Sequence, residues 1–427
     1  MGEPSEEAVY RRLRWRLVPY LLLLYVIAWL DRVNISFAAL QMNQDLGFGP
    51  AVYGLGAGIF FAAYALFEVP SNLVLARVGA RLWIARIMVT WGILSIAMMF
   101  VQGKWSFYTL RVLLGVAEAG FLPGVLYYLS QWFPPRERGR AVSWFLLGIP
   151  LSSVFGGPLA GLLLGMDGWH GLRGWQWLFV MEGVPAIVLG VTTWFLLPDK
   201  PRDARWLKPD ERALIERRIV EESARKQARH GSGLRLALLH PTVWLLCLVT
   251  FCCQAGSYGM TLWIPQIIRG FSNQSDFMTG VISAIPYAAA AVAMVWVGAN
   301  SDRTGERFWH VALPSFIGAA GFAASAFVHT PVPSMIALTV AAMGDMSTRG
   351  AFWTLPPRFL TGTSLAAGIA FINTFGALGG FVGPTMVGYV RQATHSFSGG
   401  LLVLSGLLVI AGVGTLVLKR AALLRED

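Results

Sequence analysis

The chain has 427 residues, 55% of them hydrophobic and only 13% charged, with a formal net charge of +11. Soluble domains carry about 25% charged residues, so an ordinary water-soluble enzyme or binding module is excluded. Apolar stretches of roughly 20 residues, each long enough to cross a ~30 Å hydrocarbon core, recur along the whole length and predict an all-α polytopic membrane protein.

Twelve spans are expected in chain order, at about 17–39, 53–76, 87–103, 106–130, 141–165, 175–197, 241–268, 277–299, 308–328, 333–356, 363–390 and 398–418. The first apolar run follows arginines, as a signal peptide would. It is too long for one, lacks a small-residue cleavage site and precedes eleven further candidates. It also carries Asp31 and Arg32 within "YVIAWLDRVNISFAAL" (25–40). A charge at the centre of a membrane helix costs about 2.5–3.5 kcal/mol on insertion scales. Something has to offset that cost.

Other charges inside spans are Glu68 in span 2, Arg111 and Glu118 in span 4, Glu182 in span 6, and Asp345 and Arg349 in span 10. Arg111 and Glu118 are seven residues apart, so they share one helix face about 10 Å apart along the axis. Asp345 and Arg349 are one turn apart, a spacing that allows a local pair. Glu182 has no evident partner and reads as structural. Glu68 reads as a gate or helix-end partner near Arg77 and Arg81. Cys247, Cys252 and Cys253 fall in one apolar stretch without metal-ligand spacing and read as packing residues. Neither a phosphate loop nor a nucleophile elbow nor a zinc pattern is present, so the chain is not read as an enzyme.

Of the 34 Lys and Arg residues, 27 fall on the side that holds both termini. Four (Lys104, Arg173, Arg269 and Arg391) lie opposite, and Arg32, Arg111 and Arg349 lie within spans. By the positive-inside rule both termini face the cytoplasm. The basic excess is topology, and no nucleic-acid partner is implied. The pattern breaks only once at length, from Pro198 to about His240, where "KPDERALIERRIVEESARKQARH" predicts a charged amphipathic helix lying on anionic headgroups. Asp210 near its start and Arg229 near its end suit the helix dipole.

The break divides the chain into residues 1–198, a linker at 199–240 and residues 241–427. The two long parts repeat one another. Arg77, Gly79 and Arg81 in "ARVGARLWIAR" align with Arg303, Gly305 and Arg307 in "SDRTGERFWHV", and Gly-Pro recurs in "FGGPLAG" (155–161) and "FVGPTMVG" (381–388). Two similar six-span halves around one central site is the layout expected of a secondary transporter.

This layout with its R-x-G-x-R turns resembles the major facilitator superfamily. "LDRVNISFAAL", "YALFEVPSNLVLARVGAR" and "RVLLGVAEAGFLPGVLYYLSQWFPPRERGRAVSW" resemble its anion:cation symporter family, and "FINTFGALGGFVGP" (371–384) fits the tartrate, sugar-acid and aromatic-acid branches. The resemblance runs from about Arg16 to Leu418. It implies two six-helix bundles related by a pseudo-two-fold axis, with proton coupling at Asp31 and Glu118 and anion binding at Arg32 and Arg111. It adds Tyr64 and Asn373 as substrate contacts, with Arg349 as a second anion contact if it faces the cavity. The turns with Arg77, Gly79, Arg81, Asp302, Arg303, Gly305 and Arg307, together with Glu68, would gate access. One departure is Ala76, where the superfamily turn usually has an acid; only the second half supplies it, as Asp302.

In the carrier fold spans 1 and 4 line the cavity, so Asp31 and Glu118 are expected to neutralise Arg32 and Arg111 until an organic anion competes for the arginines. The freed acids would then take up protons, so that substrate and proton favour each other's binding. The expected function is proton-coupled import of a small organic anion by alternating access, with a hydroxylated mono- or dicarboxylate such as tartrate or a sugar acid as substrate. The alternatives are an aromatic acid of the phthalate or hydroxyphenylacetate type, or a non-transporting membrane sensor. The proton is the coupling ion, and no metal or other cofactor is expected. The partners are the anion and the lipid bilayer, and the chain is expected to be a monomer in a bacterial inner membrane.

Overall fold

The computed structural model describes residues 6–227, 241–272, 274–328, 330–360 and 362–426, almost all of them helical. With no water in the bilayer core, each span must satisfy its own backbone, which a helix does. Among the described residues, eleven helices are long and apolar enough to cross a membrane. Spans 1 to 6 are Glu6–Asp45, Pro50–Val78, Ala80–Phe100, Lys104–Ser130, Glu137–Leu164 and Gly174–Leu196. Spans 7, 8, 9, 11 and 12 are Pro241–Ser272, Asp276–Thr304, Trp309–Phe327, Gly362–Thr394 and Ser398–Glu426. The expected span 10 is the helix Pro331–Phe352, whose 22 residues reach about 33 Å at 1.5 Å per residue. It is less apolar than the others because it carries Asp345 and Arg349 along with several small polar residues.

Span 4 is broken. Its helix stops at Glu118 and restarts at Phe121. Gly120 between them has φ +89°, and a Cβ there would lie 2.4 Å from Ser71 Oγ. The break frees the Ala119 carbonyl, which accepts a hydrogen bond from Ser71 Oγ at 2.6 Å. Glu118 therefore sits at a helix end in the middle of the bundle.

The halves meet at the end away from the termini, through glycines too close for any side chain. A Cβ on Gly54 would lie 2.7 Å from the Pro384 carbonyl oxygen, and one on Gly157 would lie 2.3 Å from that of Gly280. Gly54 and Gly280 stand 226 positions apart, as do Pro158 and Pro384, and Arg77 and Arg303. The same repeat that was read from the turns thus builds both contacts, span 2 on span 11 and span 5 on span 8. Tyr53 adds a hydrogen bond to the Leu262 carbonyl at 2.5 Å, and Gln41 donates to Asp276 at 2.7 Å.

The linker forms the helix Pro209–Gln227; Arg229 lies outside the described residues. The expectation was of a helix resting on headgroups, yet its charges also reach the start of span 1. Glu211 accepts from Arg12 at 2.7 Å and Arg218 donates to Glu6 at 2.8 Å. Trp206 stacks on Trp132 and lies under the Arg16 guanidinium. Cys247 and Cys252 are buried in the second hydrophobic core, as packing residues are.

Candidate functional site

Consecutive residues on a helix point about 100° apart, and this separates Asp31 from Arg32. Arg32 turns toward span 4, where its Nε donates to Glu118 Oε1 at 3.0 Å and its Nη2 contacts the same oxygen. The rings of Trp29, Phe60 and Tyr64 lie 5.5, 5.9 and 5.3 Å from the guanidinium carbon. Such faces attract a desolvated cation. Glu118 is 1% exposed, and its Oε2 is buried with no partner. The site therefore holds one cation, one engaged carboxylate oxygen and one idle one.

Asp31 turns the other way, into the first bundle. It accepts from Trp91 Nε1, from Ser95 Oγ and, at 3.0 Å, from Asn34 Nδ2. Arg111 was expected to pair with an acid and does not. Its Nε donates to the Gly56 carbonyl at 3.0 Å and its Nη2 to that of Ala57 at 3.1 Å, with the Phe60 ring at 4.8 Å. Helical side chains lean toward their own N-terminus. That lean carries the Arg111 guanidinium away from Glu118 and onto span 2. The four charges are thus one ion pair, one acid held by neutral donors and one arginine held by carbonyls, and not a mutual network.

Tyr64 is buried under Arg32, and Glu68 lies one turn on. Both Glu68 carboxylate oxygens accept from Asn373 Nδ2, at 2.9 and 3.1 Å. This bond joins the two bundles and takes up Asn373 in the state seen here. Glu68 was expected beside Arg77 and Arg81, but its partner is on span 11. Glu68 stands ten residues, about 15 Å of helix, from the tightly packed Gly58.

In the second half, Asp345 and Arg349 do not form the expected local pair. Arg349 Nη2 reaches across to Ser257 Oγ on span 7 at 2.5 Å, while Asp345 is 3% exposed with Oδ1 unpartnered. Arg349 is half-buried. Between spans 1, 5, 7 and 8 lies a cavity bordered by Ser36, Ser152, Ser153, Thr261, Ser283 and Tyr287. Five of these six hydroxyls donate to carbonyls of their own helix or to another hydroxyl, and the surface shown to the cavity is mostly apolar.

The turn residues fall into two patterns. Gly79 has φ +101° and Gly305 φ +70°, the left-handed region that favours glycine. Arg307 pairs with Asp302 at 2.6 Å within its own turn. In the first half Asp199, just after span 6, supplies the acid that Ala76 lacks: it accepts from the Arg81 amide at 2.8 Å and lies 3.5 Å from its Nε. Arg77 and Arg303 are exposed. Sequence reasoning missed Asp199 because it lies some 120 residues away. It also missed the aromatic cage, although Phe60 and Tyr64 stand at i, i+4 and Trp29 at i−3 from Arg32, spacings that share one helix face.

Two six-span halves joined at one end, the first of them holding a buried arginine–carboxylate pair, define a non-enzymatic secondary transporter of the membrane. The model of the Major Facilitator Superfamily matches residues 21–384, and the chain belongs to that superfamily. It is 49% identical over 423 residues to a protein of Agrobacterium vitis named "Putative tartrate transporter", covering 99% of this chain and 97% of that one. It is 45% identical to a quinolone resistance transporter of Acinetobacter baumannii, covering 94% and 92%. Among solved structures, a bacterial homolog of the human lysosomal transporter Spinster, in an inward-facing and occupied conformation, superposes with a TM-score of 0.80 at 17% identity over 96% of this chain and 97% of that one.

Proposed function

We propose that this carrier is a proton-coupled symporter that imports a small hydroxylated carboxylate across a bacterial inner membrane, with both termini in the cytoplasm. The observation that carries the reading is the Arg32–Glu118 contact, in which a caged guanidinium is held through a single carboxylate oxygen. A substrate carboxylate offers Arg32 the same group with two oxygens. Once displaced, Glu118 is a buried carboxylate without a counter-charge, and a proton is its cheapest partner. Asp31, held only by neutral donors, is the second acid.

Net charge decides the stoichiometry. An inside-negative potential opposes anion entry by about 2.3 kcal/mol per charge per 100 mV. One proton per anion charge cancels that opposition and one more reverses it, so two acids carry a monoanion with the potential, or a dianion on the pH gradient alone. Arg32 in the first half and Arg349 in the second supply two cationic contacts, which suits a dicarboxylate. The relatives named for tartrate agree with a hydroxylated carboxylate as the substrate class. Arg111 is committed to span 2 in this state and is assigned to holding spans 2 and 4 together.

Purified carrier in liposomes tests this directly. Acidifying the outside should drive accumulation of tartrate or a sugar acid from a panel of carboxylates. Uptake that ignores the pH gradient would end the proton-coupled reading, and preference for an aromatic acid would move the substrate class.

A further inference from the structure

Glu68 of the first half and Asn373 of the second are hydrogen-bonded, and neither the ion pair at Arg32 nor the joined end accounts for that bond. It lies on a continuous seam between spans 2 and 11. A Cβ on Gly54 would lie 2.9 Å from Gly388 Cα, one on Gly58 2.5 Å from Thr385 Oγ1, and one on Gly380 3.0 Å from the Phe61 ring. Residue numbers rise along span 2 as they fall along span 11, so the two helices run antiparallel. Glu68 lies seven residues beyond Phe61, and Asn373 lies seven before Gly380. Seven residues are about two turns, so the same two faces meet again. Here they meet through a carboxylate that is 6% exposed and an amide that serves both its oxygens, at 2.9 and 3.1 Å.

The bonds of Gln41 to Asp276, Tyr53 to the Leu262 carbonyl and Thr385 to the Gly54 carbonyl also cross between the halves, and all three sit at the joined end. Glu68 stands ten residues beyond Gly58, about 15 Å of helix, and Val78 at the end of span 2 stands twenty beyond it, about 30 Å. With the glycine contacts as a pivot, the Glu68–Asn373 bond fixes the angle between spans 2 and 11. The other seam is built differently. The offset of 226 positions that relates the halves carries Glu68 to Met294 and Asn373 to Leu147, and a leucine side chain has no hydrogen-bonding group. Tyr64, one turn before Glu68, lies 5.3 Å from the Arg32 guanidinium carbon, so the bond borders the ion pair as well.

We propose that Glu68 is a positioning residue for transport. Its bond to Asn373 is a one-sided latch that holds spans 2 and 11 together between the ion pair and the end that bears the termini. It has to break before the halves part at that end. Parting them strips a buried carboxylate of its donor, and water has to take the amide's place. Admitting one water, about 2.8 Å across, between the bonded atoms moves Val78, twice as far from the pivot, by about 6 Å. The two partners belong to different halves, so the bond sets the angle between the bundles and not the fold of either one.

The test is the distance between spin labels on cysteines placed at Val78 and Pro357, both exposed, in a background lacking the native cysteines. It is read by pulsed dipolar spectroscopy on the carrier in lipid nanodiscs. Asn373→Ala and Glu68→Ala should each enlarge a population about 6 Å longer than that of the wild type. The double variant Glu68→Gln with Asn373→Asp turns the bond round, with the amide on span 2 and the carboxylate on span 11, and should keep the wild-type distance. Met294→Ala, at the matching place on the other seam, should leave the distance unmoved. Wild-type distances in the alanine variants overturn the proposal, and so does a reversed pair as open as they are. Equal opening in Met294→Ala overturns it too, because lost packing would then suffice. If Asn373→Ala does not fold, Glu68→Ala decides in the same way. Neither substrate nor a proton gradient enters the measurement, so failure of the latch leaves the proton-coupled reading standing, and failure of that reading leaves the latch.

Discussion

On the proposed proton-coupled reading, Glu118→Gln separates substrate binding from proton transport at a single atom. Gln keeps an oxygen where Oε1 accepts from Arg32 Nε at 3.0 Å and loses the charge. Removing one member of a buried ion pair costs about 3–5 kcal/mol when the other is left bare. Arg32 is not left bare, since three rings lie 5.3 to 5.9 Å from its guanidinium, each worth about 0.5–2 kcal/mol to a desolvated cation. The variant should therefore fold.

Substrate has to displace Glu118 from Arg32, and the magnitude follows from that competition. A hydrogen bond to a charged group contributes about 1.5–3 kcal/mol net, and a neutral one about 0.5–1.5 kcal/mol. The difference of ~1–1.5 kcal/mol no longer opposes binding in the variant, so its Kd at neutral pH should fall by roughly tenfold. Acid should tighten the wild type toward the same value, because a protonated Glu118 competes no better than Gln. The variant's affinity should respond less to pH. Transport divides the same way. A one-unit pH gradient, with the potential clamped, is worth about 1.4 kcal/mol or tenfold accumulation per coupled proton. The wild type should accumulate substrate at least that far. The variant should exchange labelled for unlabelled substrate but not concentrate it. Binding by calorimetry and uptake in the same liposomes check both halves. A variant that binds more weakly, or that still concentrates substrate tenfold, refutes the reasoning.

Three further outcomes are expected. In a background lacking the native cysteines, cysteines placed at Lys104 and Arg391 should label from outside with an impermeant maleimide and one at Lys208 should not; labelling at Lys208 would invert the proposed orientation. Arg111→Lys keeps a charge but cannot span the Gly56 and Ala57 carbonyls as a fork does, so thermal stability should fall while the Kd of the folded fraction stays within about threefold. A carrier of unchanged stability that has lost affinity would return Arg111 to the substrate, as the family resemblance implies. Arg349→Gln breaks no ion pair and should fold; it should weaken a dicarboxylate by about tenfold or more and a monocarboxylate much less, and equal losses for both would take Arg349 out of the site.

Much of the architecture was legible in the sequence, because length and hydropathy are all a bilayer demands of a helix. The repeat was legible too: the glycines and prolines that align the two halves are those that let the bundles touch, and a contact with no room for Cβ constrains residue type strongly. Pairing among the charges was not legible. Seven-residue spacing places Arg111 and Glu118 on one face, but Arg111 is taken by the carbonyls of span 2 and Glu118 by Arg32 of span 1. Asp345 and Arg349 have the right spacing for a pair, yet Ser257 on a neighbouring helix takes the arginine. The acid missing before Arg77 was sought nearby and is supplied by Asp199 from a different loop. Spacing fixes which face a residue shares and leaves open which neighbour crosses that face.

The adjacent Asp31 and Arg32 owe their tolerance to the helix that carries them. One turns to span 4 and borrows charge from Glu118 and three rings. The other faces the bundle interior and borrows neutral donors from Trp91, Ser95 and Asn34. Neither arrangement neutralises the other, so a change at one is felt at the next residue through the backbone they share. When substrate takes Arg32, span 1 moves or stays only as its neighbours allow, and those neighbours include the acid on its other side. In the proposed cycle, a carrier that must not leak protons without substrate has reason to keep its two acids apart, Glu118 on span 4 against one face of span 1 and Asp31 on the other face. On that reading a proton on Glu118 answers to what occupies Arg32, and a proton on Asp31 answers to its donors on span 3.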